Sequence, residues 1–306
     1  MTTSPPSPPN PSSLSQFSRR EIIILILLTL CWGLNWPMMK IGVQHFPPLT
    51  FRCLSMLGGL VVLWIAGKMA KQDMRLSRAN ALPMLRLAMP NMVIWHVFII
   101  LGVAKLSSGR AAILGYTMPL WAVLFGLLLY REKVSPRAWF GLACAFSGTL
   151  LLLSNEFARL AGQAWGTIFA LIAAAGWGYG TVQLKRATLS MPTIALTFWM
   201  LVCANICLLI GAIALEQAAW RLPLPAEWMA IIYNAVLVFG FAHLAWFRLA
   251  RSLPPVASSL SIMLIPMVGL FSGAWLLAET PHWQDYAALL LMLLAMACVL
   301  LPKKKS

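Results

Sequence analysis

The chain carries YTMPLWAVLFGLLLYRE at residues 116–132 and MLIPMVGLFSGAWLLAE at residues 263–279. Pro119 and Pro266, Gly126 and Gly273, and Glu132 and Glu279 fall in register at a single offset of 147 residues. Each copy is an apolar helix containing a proline, with a glycine two turns later and a carboxylate where it leaves the apolar run. Self-similarity of this kind in sequence is the mark of repetition in structure. Further landmarks follow it. Trp32, Gly33 and Lys40 return as Trp177, Gly178 and Lys185 at an offset of 145, and His96 returns as His243 at 147.

Outward from this pair, composition sets the class. Of 306 residues, 60% are hydrophobic and only 10% charged, with a mean hydropathy of +0.81. A soluble domain of that length has too little interior to hide so much apolar surface, so the chain reads as an all-α polytopic membrane protein. The apolar runs are continuous rather than alternating, which excludes a closed barrel. They lie at about 21–40, 48–67, 83–103, 111–130, 136–153, 164–184, 193–214, 228–247, 256–277 and 283–301. Each is close to the twenty or so residues that cross about 30 Å of hydrocarbon. The expectation is therefore ten transmembrane helices in two five-helix repeats, 19–153 and 164–301, joined by a loop at 154–163. A Pro/Ser-rich tail at 1–18 is expected to be disordered, and a basic tail closes the chain at 302–306. With five spans per half, the second copy enters the membrane from the other side. Inverted repeats of this sort characterise secondary transporters, whose binding site lies near the midplane between the halves.

The net charge of +15 first suggests nucleic acid, but its distribution accounts for it otherwise. With ten spans, seventeen of the 23 Lys and Arg residues fall on the side of the termini. Lys40, Arg52, Lys105, Arg110, Arg159 and Arg221 fall opposite. Basic loops stay in the cytoplasm, so both termini are expected there and no nucleic-acid partner is needed. Arg19 and Arg20 read as the anchor of an uncleaved first helix rather than an export signal. The six cysteines lie inside apolar runs and read as small buried hydrophobes.

The paired Pro–Gly–Glu motifs and the Trp-Gly pairs resemble the drug/metabolite transporter superfamily, specifically its ten-helix EamA-type exporters. So do the glycines Gly141 and Gly148 and the run Trp246-Phe247-Arg248-Leu249-Ala250. The resemblance covers roughly residues 21 to 301. Within the superfamily the tryptophan-rich chain looks most like the YddG-type exporters of aromatic amino acids. That implies an exporter in the bacterial inner membrane with a cavity walled by helices 1, 3, 4, 6, 8 and 9. Helices 5 and 10 would stand outside it as props. Ala278 departs from the pattern, standing where the first copy has Arg131.

Candidate binding residues are the polar and aromatic side chains deep in the spans. Asn35 lies in helix 1 with Trp32 and Met39 on its face. Trp95 and His96 lie in helix 3, and Tyr116 precedes Pro119 in helix 4. Trp177 and Thr181 share a face of helix 6, Tyr233 and His243 line up on helix 8, and Ser258 and Ser261 recur on helix 9. Pro119 and Pro266 are candidate kinks, since a proline frees carbonyls that only a cavity or packed protein can satisfy. Lys40 and Lys185 read as side chains reaching to the interfaces, and Glu132 and Glu279 as helix-end anchors. Trp220, Trp228 and Trp283, at span ends, read as an interfacial aromatic belt.

All eight acidic residues fall at helix ends or in loops, and the interior is expected to hold rings, amides, hydroxyls and two imidazoles without a fixed charge. No metal cluster, nucleophile–base pair or phosphate cradle is present in the sequence, so neither cofactor nor enzymatic activity is expected. A membrane-embedded enzyme or assembly factor is the rival of another class, disfavoured by the missing catalytic set. A lipophilic-cation exporter would want a membrane-embedded Glu, and a nucleotide-sugar carrier would want buried basic residues. The pattern fits small amphipathic solutes best, amino acids above all.

Overall fold

The computed structural model describes residues 19–158, 164–243, 245 and 255–300. The motif at Trp246–Ala250, both tails and part of the loop between the halves lie outside these residues, as do the side chains of Ser258 and Ser261. The described residues are helical, without strands.

In chain order the helices are α1 (Arg19–Val43), α2 (Pro48–Met69), α3 (Arg78–Lys105), α4 (Ser108–Tyr130) and α5 (Pro136–Ala158). They continue as α6 (Ala164–Arg186), α7 (Thr193–Ala219), α8 (Pro225–Ala242), α9 (Pro255–Leu277) and α10 (Trp283–Leu300). Seven of them, α1–α4 and α6–α8, are long and apolar enough to cross a membrane. Shorter apolar stretches run through Met263–Leu277 and Trp283–Val299. Large apolar side chains such as Leu128, Ile210 and Leu290 face outward, as they do when the surrounding solvent is lipid. Trp220, Trp228 and Trp283 are exposed near helix ends, where an amphipathic ring meets both apolar and polar surroundings.

Helices of one half pack on the other, α1 along α9 and α6 along α4, α3 on α6 and α8 on α1, and α2 on α8 and α7 on α3. To these are added α2 with α7, α4 with α9 and α5 with α10. Exchanging α1–α5 for α6–α10 maps this set onto itself.

The repeated glycines explain the close approaches. A methyl at Gly33 would run into Val268 of α9, and one at Gly178 would lie 2.8 Å from both the Met118 carbonyl and the Ala122 amide of α4. The tryptophan–glycine pairs thus mark where the first helix of each half meets the proline-bearing helix of the other. Backbone atoms cannot rotate out of the way as a side chain can. Gly178→Ala is therefore expected to cost about 1–3 kcal/mol, the usual penalty of overpacking. A thermal unfolding midpoint unchanged from wild type in detergent would contradict this contact.

The Gly–Glu spacing also has a local cause. Arg131 and Ala278, in register, adopt left-handed backbone with φ of 52° and 51°. This ends each helix and turns the chain back, and the next amide donates to Gly126 O (3.2 Å) or Gly273 O (3.4 Å). A methyl at either glycine would sit within 2.7 Å of its own glutamate carboxylate. The glycine leaves the room into which that carboxylate folds.

The two prolines sit differently. The helix of α4 is interrupted at Tyr116–Thr117 and Pro119 lies in the first turn of its second half, Met118–Tyr130. There proline lacks no hydrogen bond that the helix needs. Pro266 lies inside the unbroken α9.

Candidate functional site

α3 and α8 each contain a wide helical turn at corresponding places, Met89–Ile94 and Asn234–Ala242. Such π segments displace the register of a helix and recur at functional sites. Each immediately precedes the repeated histidine or reaches it: His96 lies two residues beyond the first, and His243 directly follows the second.

Trp95 and His96 are neighbours in sequence, about 100° apart around the axis of α3, and the structure divides them between two partners. Trp95 meets Trp177 of α6 edge to face, ring centroids 5.2 Å apart and planes at 61°. His96 lies 5.4 Å from the ring of Phe239 on α8. Phe239 in turn stacks on His243 at 5.7 Å, and His243 meets Trp32 of α1 at 6.1 Å. A row of rings therefore runs from α3 across α8 to α1. A third contact joins Tyr116 to Trp36, 6.1 Å apart. Both tryptophans of the first pair are half-buried, whereas Tyr116 and His96 are buried.

The polar atoms differ in how far they are committed. Thr181 Oγ1 donates to its own helix at Trp177 O (2.9 Å), and the Tyr233 hydroxyl donates to Cys31 O of α1 (2.7 Å). His243 Nδ1 lies 2.8 Å from Val238 O, a bond inside α8. By contrast, both ring nitrogens of His96 and the Asn35 Oδ1 are buried with no hydrogen-bond partner. Buried polar atoms in that state are costly unless something else meets them. The repeat partners are thus unequal: His243 is tied into its helix and His96 is not.

The expectation of an interior without fixed charge is overturned. Arg52, which the sequence reading places at the start of the 48–67 run with its charge on the side opposite the termini, is 2% exposed within α2. It donates to Asn234 Oδ1 at 3.2 Å and faces the Met39 thioether. Arg110 and Asp285 form a buried ion pair between α4 and α10, Nε to Oδ1 2.5 Å. Glu227 of α8 is also buried and paired with Arg221. Hydropathy assigns a charged residue to the nearest interface, and it cannot show that a helix end is itself covered by neighbouring helices. Lys40 is tied to a neighbouring helix. Its ammonium donates to Val103 O and Ala104 O, both at 3.2 Å, closing the end of α3. Lys185 is exposed.

The two carboxylates of the repeated motif also differ. Glu279 accepts from Ser108 N (2.7 Å), Ser108 Oγ (2.8 Å) and Gly109 N (3.4 Å), capping the start of α4. Glu132 pairs with Arg186 of α6 at 2.6 Å, largely in the open. Sequence reasoning missed Arg52, Asn234, Phe239 and Trp36. A basic residue one turn inside an apolar run, with no acid nearby in sequence, was the signal available for the first.

Helices throughout the described residues and a packing pattern preserved when the halves are exchanged agree with a carrier. The sequence profile of the EamA-like transporter family matches residues 19–154 and again residues 164–301. The chain belongs to the EamA-like transporter family. It is thus a multi-pass membrane protein of the drug/metabolite transporter superfamily. The transporter YoaV of Bacillus subtilis is 26% identical over 82% of this chain and 86% of its own length. The inner membrane transporter YedA of Escherichia coli K12 is 28% identical over 91% and 90%. A Salmonella typhimurium protein named as a probable amino-acid metabolite efflux pump is 24% identical over 90% and 93%. A solved crystal structure shares the fold with a TM-score of 0.64 at 20% identity, covering 92% of this chain and 98% of that one.

Proposed function

We propose that this EamA-family transporter exports small amphipathic metabolites, amino acids including aromatic ones, across a bacterial inner membrane. In this reading ten spans form two inverted five-helix repeats, both termini are cytoplasmic, and the repeats rock to expose the site to each side in turn. Two successive family matches and a packing pattern that survives exchange of the halves support the duplication. The name of the Salmonella typhimurium relative supports amino-acid metabolites as the solute class. The observation that carries the reading is the Trp95–Trp177 pair, one ring from each half, with the uncommitted imidazole of His96 on the following residue of α3. An aromatic side chain stacks on such rings while polar groups hold the amino-acid backbone. Asn35, Tyr116, Thr181, Tyr233 and His243 complete the proposed lining. Pro119 and Pro266 serve as the points about which α4 and α9 rearrange.

A stacking contact contributes about 0.5–1.5 kcal/mol beyond area. Trp95→Ala and Trp177→Ala are therefore expected to weaken phenylalanine transport by about tenfold, at about 1.4 kcal/mol per decade. Threonine, with no ring to stack, loses less. His96→Ala lowers both, since the imidazole meets the part common to all amino acids. His243→Ala is expected to lower transport less than His96→Ala, because its Nδ1 already has a backbone partner. Proteoliposomes with labelled phenylalanine and threonine make the comparison. If all four variants reduced both solutes equally and in step with protein yield, these residues would be packing and the site would lie elsewhere.

A further inference from the structure

We propose that Arg52 is an anion handle within this site, its guanidinium taking the carboxylate of the bound solute with His96 as a second donor. The naming of an amino acid rests on the exporter reading; the anion site does not. Arg52 lies in the second turn of α2, close to the positive end of the helix dipole, where a cation does nothing for the helix. The carboxylate at that helix end, Glu216, is already committed to the amides of Leu49 (2.9 Å) and Thr50 (2.8 Å) and to the Thr50 hydroxyl (2.8 Å). The guanidinium instead has an amide oxygen, Asn234 Oδ1, on one nitrogen and the Met39 sulfur on another, while its buried Nε has no partner. A thioether is a weak acceptor that a carboxylate readily displaces. Among the described residues no carboxylate pairs with Arg52. The other buried charges contrast with it: Arg110 faces Asp285, and Glu227 faces Arg221.

His96 belongs to the same cluster. The Arg52 guanidinium lies 5.8 Å from the centre of the Phe239 ring and the His96 imidazole 5.4 Å from it, so one ring carries both. Both imidazole nitrogens are buried and unpartnered. Ionisable groups retained inside a membrane protein line pathways or meet counter-ions, and arginine's planar fork matches a carboxylate in particular. A guanidinium and an imidazole that both lack an anion, beside an apolar ring, fit an aryl or alkyl carboxylate. The guanidinium repels a lipophilic amine that lacks one.

The test uses the purified full chain in detergent, with phenylalanine, 3-phenylpropionate, phenylalaninamide and phenethylamine as probes of thermal unfolding. The two carboxylates are expected to raise the midpoint of wild type and the two others to leave it unchanged. Arg52→Gln should abolish the response, and Arg52→Lys should keep the preference with about tenfold weaker affinity, since the ammonium lacks the fork. Equal responses of wild type to phenylalanine and phenylalaninamide overturn the site, whether or not Arg52→Gln folds. An undiminished carboxylate response in Arg52→Gln overturns it as well. Labelled phenylalanine in proteoliposomes separates this from the exporter reading. If phenylalanine is not moved but 3-phenylpropionate still protects wild type and not Arg52→Gln, the anion site stands and the amino-acid reading falls. If phenylalanine and its amide are moved alike, the anion site falls and the exporter reading stands.

Discussion

Asp285→Ala is expected to destabilise the protein by about 3–5 kcal/mol, the usual consequence of removing one member of a buried ion pair. The Arg110 and Asp285 side chains are 7% and 4% exposed, so little solvent compensates the guanidinium once the carboxylate is gone. Asp285 also accepts from the amide of His282 at 2.7 Å, reaching back to the cap position of α10 from its third residue. One substitution thus loosens the join between α4 and α10 and frays the start of α10. Replacing both charges by leucine should recover most of the loss, because the desolvation cost of both ions disappears. It should leave the cap deficit of about 1 kcal/mol. A double variant no more stable than Asp285→Ala would show that the ion pair is not the source of the loss.

Glu279→Ala is expected to cost about 2 kcal/mol, and its repeat partner Glu132→Ala much less. Glu279 satisfies two amides and a hydroxyl at the start of α4, and charge-assisted bonds at a helix N-terminus combine capping with the favourable dipole. The Glu132 and Arg186 side chains are 56% and 43% exposed, and exposed pairs contribute about 0–1 kcal/mol. Thermal midpoints of the two variants in one detergent decide it. Equal shifts would contradict the unequal roles assigned to the two copies of the motif.

The helical stretches were legible because hydropathy over twenty residues depends on composition, which packing does not alter. Several observed helices run a few residues beyond the apolar runs, as at the start of α3, where the cap Ser77 accepts from Asn80 N and begins a helix at Arg78 well ahead of the apolar run. Gly33 and Gly178 were legible as a repeat, and their reason, the meeting with α9 and α4, became visible only with the packing. The site was legible as a set of residues more than as an arrangement. Neighbours such as Trp95 and His96 serve different partners because they leave α3 in different directions, one meeting Trp177 of α6 and the other Phe239 of α8, and the sequence of an all-apolar helix does not reveal its rotation. For the same reason Arg52 read as a charge at the membrane edge of its run, since nothing local shows which face of α2 is covered. The difference between Pro119 and Pro266 was also hidden. It lies in the interruption at Tyr116–Thr117, which the matching motif does not distinguish.

The most direct test of transport itself is efflux of labelled phenylalanine from loaded proteoliposomes containing the wild-type protein. The account predicts saturable efflux, slowed by unlabelled tryptophan loaded together with the phenylalanine and reduced about tenfold by Trp177→Ala. Efflux no faster than from protein-free vesicles would contradict it.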